Sequence, residues 1–347
     1  MKVKAGIVGA NGYSGIELIR LLINHPLVEA EMLVSHSTQG SEIQQLYPHL
    51  TDLLDRRLED FDADELARRT DVVFFATPAG VSKDLLPKCL EQGLICIDLS
   101  GDFRLKDPAA YEKWYRQAPA DPALLATAVY GLSEINRKQI EGARLIANPG
   151  CYPTAALLGL APAVKDGAID LSSIIIDGKS GVSGSGKSAV PGNLYSEVNE
   201  SVKAYKLGTH KHTPEIEQAI AAMSGEKESL TFTTHLIPMT RGLMCTVYAT
   251  LAKGYSTKEF LEMYERFYAR SPFVRIRPLG HWPSTKEVAG SNYCDIGLNV
   301  DGRSRRLIIV SVIDNVVKGA AGQAVQNLNI IKGWDEKTGL ALAPIYP

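Results

Sequence analysis

Hydrophobic positions at the start of the chain form a near-continuous run, KVKAGIVG, that predicts a buried strand. It ends in a glycine-rich turn, Gly9-Ala10-Asn11-Gly12-Tyr13-Ser14-Gly15, and IELIRLLIN then follows with helical spacing. The same alternation recurs. EAEMLV predicts a second strand, DVVFFATPAG a third, VSKDLLPKCLEQ a helix, LICIDLS a fourth strand and ARLIANPG a fifth. Buried strands alternating with helices predict a doubly wound parallel sheet of Rossmann type, whose ligands bind beyond the carboxyl ends of the strands. After residue 150 the pattern changes. SSIIIDG, SLTFTTHLIPM, LMCTVYATLAK, YCDIGLNV and RRLIIVSVI are strand candidates with few helices between them, predicting an α+β domain with a largely antiparallel sheet. A last helix is expected from about Val316 to Ile331. The organisation read from this is a nucleotide domain over 1–150, completed by the helix and tail 315–347, and a catalytic and oligomerisation domain over 151–314.

Composition narrows the class. At 347 residues and 45% hydrophobic, the chain can hold two sizeable cores. Its net charge of −2, without basic blocks or interleaved aromatics, points away from nucleic acid and anionic membranes and toward a small-molecule ligand. No apolar run approaches a membrane span, and the N-terminus is too short in its apolar part for a signal peptide, so a cytoplasmic protein is expected. The five cysteines have neither CxxC pairing nor regular spacing, which argues against a disulfide framework or a structural zinc.

The glycine turn is the first chemical signal. Gly9, Gly12 and Gly15 allow a tight turn, close approach of a pyrophosphate and close helix packing, with Asn11, Tyr13 and Ser14 between them. The spacing is GxxGxxG. The second strand ends at Ser35-His36-Ser37-Thr38, with no carboxylate for a ribose 2′-hydroxyl, so NADP is favoured over NAD. Thr77 and Pro78 follow the third strand and complete the expected cofactor edge.

Asn148-Pro149-Gly150-Cys151-Tyr152-Pro153-Thr154 is the second signal. Pro153 is tolerable only in a helical first turn, so Cys151 falls at or just before a helix N-terminus, where exposed amides and the helix dipole favour a thiolate. Cys89, Cys96, Cys245 and Cys294 lie in apolar stretches and read as buried. A proton partner is offered by Thr209-His210-Lys211-His212-Thr213-Pro214-Glu215: Thr213 has N-cap chemistry, Pro214 suits the first helical position, and Ile216, Ile220 and Met223 share one face. His212 is the preferred acid/base, His210 its rival and Glu215 a group that could orient it. The HxH pair lacks the further ligands a metal site needs, so none is expected.

Gly181-Val182-Ser183-Gly184-Ser185-Gly186-Lys187-Ser188 matches the P-loop pattern letter for letter. However, AVPGN follows and would break the required helix, so a nest of amides for an anionic substrate is the preferred reading. Candidate substrate contacts are Arg104, Asn148, Ser183, Lys187, Tyr205, His210, Glu215 and Arg241.

Taken together, these motifs resemble the long-chain type of N-acetyl-gamma-glutamyl-phosphate reductase, a family of arginine biosynthesis related to aspartate-semialdehyde dehydrogenase. GANGYSG is similar to its cofactor loop, ANPGCYPTAALLGLAP to its active-site signature, HKHTPEIEQ to its histidine motif, SGVSGSGKS to its glycine-serine loop and DNVVKGAAGQAVQN to its C-terminal helix entry. The resemblance implies Cys151 as nucleophile, His212 as acid/base, Asn315 as a nicotinamide-side contact, NADP as cofactor and a homo-oligomer, dimer or tetramer. A sister reductase of another acyl phosphate, a non-catalytic NADP-binding regulator and a P-loop NTPase are the alternatives.

Overall fold

The computed structural model describes residues 1–346 and divides into two units. The first comprises Met1–Gly150 and Ala320–Ala341; the second comprises Cys151–Gly319 and the residues from Leu342 on. The return to the first unit thus comes at Ala320. Asn315 and residues 316–319 stay with the second unit, as does the end of the tail.

Seven parallel strands build the sheet of the first unit: β1 (Val3–Val8), β2 (Val28–Val34), β3 (Leu58–Glu59), β4 (Val72–Phe75), β5 (Ile95–Asp98), β6 (Val129–Tyr130) and β7 (Leu145–Ala147), in the order β3-β2-β1-β4-β5-β7-β6. The five long strands are those predicted. The two extra ones, β3 and β6, are two-residue edge strands, too short to carry any periodicity. Helix α1 (Tyr13–Ile23) follows β1 and buries Leu18, Ile19, Leu21 and Leu22. The sheet order reverses at β1, between β2 and β4, which is where a doubly wound sheet opens a crevice at its carboxyl edge.

The second unit begins with helix α2 (Cys151–Lys165), buried along nearly its whole length. It passes through Pro162, which has no N–H for the Leu158 carbonyl; the Tyr268 hydroxyl donates to that oxygen at 2.5 Å, and Tyr264 to the neighbouring Gly159 oxygen at 2.6 Å. Strands β8 (Ile175–Ser180), β9 (Lys203–Ala204), β10 (Thr231–Leu236), β11 (Leu243–Thr250), β12 (Val274–Ile276), β13 (Cys294–Asp301) and β14 (Arg306–Ile313) order as β12-β13-β14-β11-β8-β10-β9. The sheet is mixed: β8 and β10 are parallel, as are β12 and β13, and the other pairs are antiparallel. Helix α3 (Thr213–Ser224) lies within this unit, and α4 (Gly322–Ile331), preceded by a π-turn at Val317–Ala321, returns to the first. No helix among the described residues is long and apolar enough to cross a membrane.

Candidate active site

In the first unit each of the three turn glycines meets a different demand. Gly9 has φ +86°, and a Cβ there would fall 2.5 Å from the Ala76 carbonyl oxygen beyond β4. At Gly15 a Cβ would fall 2.3 Å from the Gly9 oxygen, so α1 could not lie this close to the turn. Gly12 is the N-cap of α1, and a Cβ there would make only ordinary contact with the protein, 3.4 Å from the Gly9 oxygen. Its missing side chain therefore leaves the helix entrance open, with no acidic residue in the first turn of α1. Thr77, directly after Ala76, carries a buried Oγ1 without a hydrogen-bond partner. An uncapped helix N-terminus, a turn with glycine at its two ends and an unsatisfied hydroxyl at the same strand ends suit the phosphates of a dinucleotide.

Nearby, the end of β2 forms a hydroxyl cluster. Asn11 Nδ2 donates to Ser37 Oγ at 3.1 Å and to Thr38 Oγ1 at 3.0 Å, Ser35 Oγ and Thr38 Oγ1 share a hydrogen at 2.8 Å, and the Tyr47 hydroxyl donates to the Asn11 carbonyl. Tyr13, Ser37 and Pro78 are exposed, and Ser35 is buried.

The next strand end is closed differently. Asp102 accepts from Gly80 N, Lys83 N and Ser82 Oγ, capping the helix Ser82–Glu91, and also from the Tyr111 hydroxyl at 2.7 Å. That helix entrance is filled by a protein carboxylate. Asp98, at the end of β5, is buried, and burial together with the Asp102 charge pushes its carboxyl up to about 7 against the Ser100 hydrogen bonds. Arg104, proposed from sequence as an anion clamp, is itself buried; Nε donates to the Asn148 carbonyl and a terminal nitrogen to the Leu99 carbonyl, both at 2.8 Å. The Asn148 side chain donates to Ala320 O and accepts from Asn327 Nδ2. Both residues brace the backbone that leads into Cys151.

In the second unit Cys151 is the first residue of α2 and is partly exposed, whereas Cys89, Cys96, Cys245 and Cys294 are buried. Gly319 stands against it: a Cβ there would lie 2.7 Å from Cys151 Cβ. The Tyr152 ring lies on Gly178 of β8, where a Cβ would fall 2.5 Å from it, and against Phe232 of β10. His210 and His212 meet the Tyr152 ring edge-on, at 5.6 and 6.1 Å between centroids, and Tyr205 donates its hydroxyl to that of Tyr152 at 3.2 Å. Burial raises the hydroxyls of Tyr152 and Tyr205, the latter to about 12, and a negative charge on Cys151 adds to both. The two histidines and two tyrosines thus form one cluster within this unit, built on the residue that follows Cys151. Tyr152 and Gly319 were absent from the sequence-derived site; the first sits inside the cysteine signature, and the second announces itself only in the small-residue run KGAAG.

His212 stands in the N-cap position of α3, one residue later than its place before a Thr213 cap, with Thr213 opening the helix and Pro214 in its first turn. Glu215 is fully buried in that turn. His212 N donates to His210 Nδ1 at 3.1 Å, and burial, with the charges of Lys206 and Lys211, holds the His210 imidazolium down to about 3. No three His, Cys, Asp or Glu side chains among the described residues are grouped to hold a metal ion.

The glycine-serine loop makes a single 3-10 turn, Val182–Ser185, and Ser188 does not open a helix; only a 3-10 turn at Pro191–Asn193 and one helical turn at Tyr195–Val198 come after it. Its amides do not form an anion nest: Gly181 N, Val182 N and Ser183 N donate to the carbonyls of Gly242, Met239 and Thr240, and Gly184 N and Gly186 N to those of Gly181 and Ser183. Lys187 is exposed. Asn315, in the second unit, accepts from Gly242 N at 2.8 Å and donates to Ser183 Oγ at 2.9 Å, tying this loop to the turn that holds Arg241, whose guanidinium is 3.6 Å from Asp314 Oδ2.

Comparison with known proteins agrees with both halves. Residues 4–143 match the family described as semialdehyde dehydrogenase, NAD binding domain, and residues 151–315 match semialdehyde dehydrogenase, dimerisation domain. An N-acetyl-gamma-glutamyl-phosphate reductase of Bacillus subtilis is 51% identical over 345 residues, covering 99% of this chain and 100% of that one; the same-named protein of Geobacillus stearothermophilus is 53% identical with the same coverage. Among solved structures, aspartate semialdehyde dehydrogenase II of Vibrio cholerae has a TM-score of 0.74 at 17% identity over 96% of this chain and 99% of that one. Aspartate semialdehyde dehydrogenase with NADP from Candida albicans has a TM-score of 0.68 at 16% identity over the same shares. With relatives matching it end to end at about half identity, the chain belongs to the N-acetyl-gamma-glutamyl-phosphate reductase family, oxidoreductases of the semialdehyde dehydrogenase type.

Proposed function

We propose that the protein reduces N-acetylglutamyl 5-phosphate to N-acetylglutamate 5-semialdehyde with NADPH, through a thioester on Cys151, as a cytoplasmic step of arginine biosynthesis. The observation that carries this reading is the partly exposed thiol at the first turn of α2, next in the chain to Tyr152, on which His210, His212 and Tyr205 gather. His212 takes the thiol proton. The Cys151 sulfur attacks the acyl carbon, a C–S bond forms, and the C–O bond to phosphorus breaks with its electron pair leaving on phosphate. The amides of the first turn of α2 face the oxyanion of each tetrahedral stage, Pro153 alone having no N–H to offer.

Gly9, Asn11, Gly12, Tyr13, Ser14, Gly15, Thr77 and Pro78 would hold the dinucleotide, and Ser35, Ser37 and Thr38 its 2′-phosphate. The cofactor supplies the hydride that reduces the thioester. His212 then returns its proton to the sulfur as the C–S bond breaks and the aldehyde leaves. Arg241, Ser183 and Lys187 remain candidates for the substrate's anionic groups; Asn315 braces the loop and turn that carry them, while Arg104 and Asn148 brace the backbone that leads into Cys151. The half-buried face of the second sheet is the surface through which the chain pairs with a second copy.

The test runs the reaction backward. N-acetylglutamate semialdehyde with phosphate and NADP should produce NADPH, and aspartate semialdehyde under the same conditions should produce far less. Equal rates with both aldehydes, or reduction of NAD in preference to NADP, would overturn the substrate or the cofactor assignment respectively.

A further inference from the structure

We propose that His210 is a positioning residue: a neutral imidazole that fixes the backbone of His212 at the entrance of α3 and takes no part in proton transfer. This rests on the reading of His212 as acid/base. The geometry is direct. His210 Nδ1 accepts the His212 amide at 3.1 Å, so Nδ1 carries a lone pair and the ring's single proton sits on Nε2. The contact reproduces, with an imidazole, what an Asn or Asp side chain does two residues ahead of a helix. It satisfies the amide of the N-cap residue, where the side chain of His212 makes no cap of its own.

Packing makes the arrangement rigid. His210 is 7% exposed, and four rings meet it edge-on: Tyr152, Tyr205, Phe232 and His212, at 5.6, 5.8, 5.5 and 4.7 Å between centroids. A ring so enclosed cannot swing Nδ1 away without opening the cluster. The group thus sorts the two histidines. One is tied by its ring nitrogen to the backbone of the other, and protonating that nitrogen would destroy the bond that places its neighbour. A metal would have to displace the same hydrogen bond to use Nδ1.

Three variants separate the roles. His210→Asn keeps an acceptor at the position of Nδ1; His210→Gln moves it outward to that of Nε2; His210→Leu removes it. Turnover by His210→Asn should stay within about fivefold of wild type, and His210→Gln and His210→Leu should lose at least about thirtyfold, a modest share of what general acid–base catalysis contributes. The loss should fall on kcat, with KM for NADPH unchanged and the pH limb due to His212 intact in His210→Asn. Wild-type turnover in His210→Leu would overturn the proposal, as would loss of that limb in His210→Asn.

A measurement on the unaltered protein guards against variants that do not fold. In 15N-histidine NMR, His210 should keep an unprotonated Nδ1 and a protonated Nε2 from about pH 8 to about pH 5, across the usual histidine range. Titration within that range would overturn the proposal. Failure of the underlying reading is distinguishable: full turnover in His212→Asn removes His212 as acid/base whatever the NMR of His210 gives.

Discussion

Cys151 differs from the other four cysteines in environment rather than in chemistry. The buried thiols lose solvation on ionising, and Cys245, fully enclosed near Cys151, is pushed up first by burial and then by the Cys151 charge. Cys151 instead opens a helix and reaches solvent. Mild alkylation should therefore label Cys151 alone, read by peptide mass, and abolish activity. Cys151→Ser should bind NADPH normally by fluorescence titration and lose about a thousandfold or more in turnover; near-normal turnover would remove covalent catalysis. A second titrating residue was invisible in the sequence. Asp98 belongs to no motif, and what marks it is the enclosure built around it and the Asp102 carboxylate beyond the turn. Because its folded pKa, about 7, lies above the ordinary 3.8, the native state holds a proton that the unfolded chain has released between those values. Its contribution to stability is thus present below about pH 4 and lost as pH rises through about 7. Denaturant titrations at several pH values should show a fall in wild-type stability over this window that Asp98→Asn lacks. Parallel curves for the two proteins would refute the assignment.

At the scale of elements, the cofactor turn separates three roles that the glycine spacing alone leaves merged. Gly15→Ala drives a Cβ into backbone and should destabilise the fold by several kcal/mol, on the order of the larger overpacking penalties, lowering the melting temperature. Gly12→Ala meets no such obstacle. It should melt close to wild type yet bind NADPH about tenfold or more weakly, because the lost space belongs to the ligand. Equal affinity in Gly12→Ala would show that the turn does not face the pyrophosphate. The strand-turn-helix unit was legible because each part carries its own local signature: an apolar run, glycines, then helical spacing. So was the break in the false P-loop, since proline acts locally. The fate of the amides of Gly181, Val182 and Ser183 was not legible, for their acceptors lie on Gly242, Met239 and Thr240, distant in sequence. The same holds for α2, which continues through Pro162 because Tyr268 supplies the hydrogen bond that proline removes. Parallel pairing of β8 with β10 was equally hidden, since alternation fixes which face a side chain takes but not the direction of the neighbour.

Over the whole molecule, the second sheet poses a problem of coverage. Its alternation is strict in β8, β11 and the first half of β14, with one set of residues buried and the other only half-buried. The half-buried set places Thr246 and Tyr248 of β11 beside Val310 and Ile308 of β14, with half-buried Met244 beside Val312, where β14 turns buried. Toward β8 and β10 the same face turns ionic. Lys179 Nζ lies 2.5 Å from Asp177 Oδ2, His235 Nδ1 lies 3.1 Å from Asp177 Oδ1, and Thr233 donates to the latter oxygen. An apolar centre flanked by charges has the composition of an interface core with its rim, and a twofold axis would let one such face meet itself. The match of residues 151–315 to a dimerisation domain supports the same occupant. Val310 is the position to alter: it is paired with Thr246, in the middle of the strand, and its side chain faces away from the buried side. Val310→Glu would desolvate a carboxylate against its own symmetry mate, a cost of several kcal/mol that two copies would each incur. Sedimentation velocity should find the wild type assembled at micromolar concentration and Val310→Glu as a monomer with unchanged circular dichroism. A monomeric wild type, or an assembled variant, would move the interface elsewhere. NADPH binding by the monomeric variant should persist, because the groups assigned to the phosphates and the 2′-phosphate of the dinucleotide all lie in residues 1–150, outside the sheet that carries the substitution.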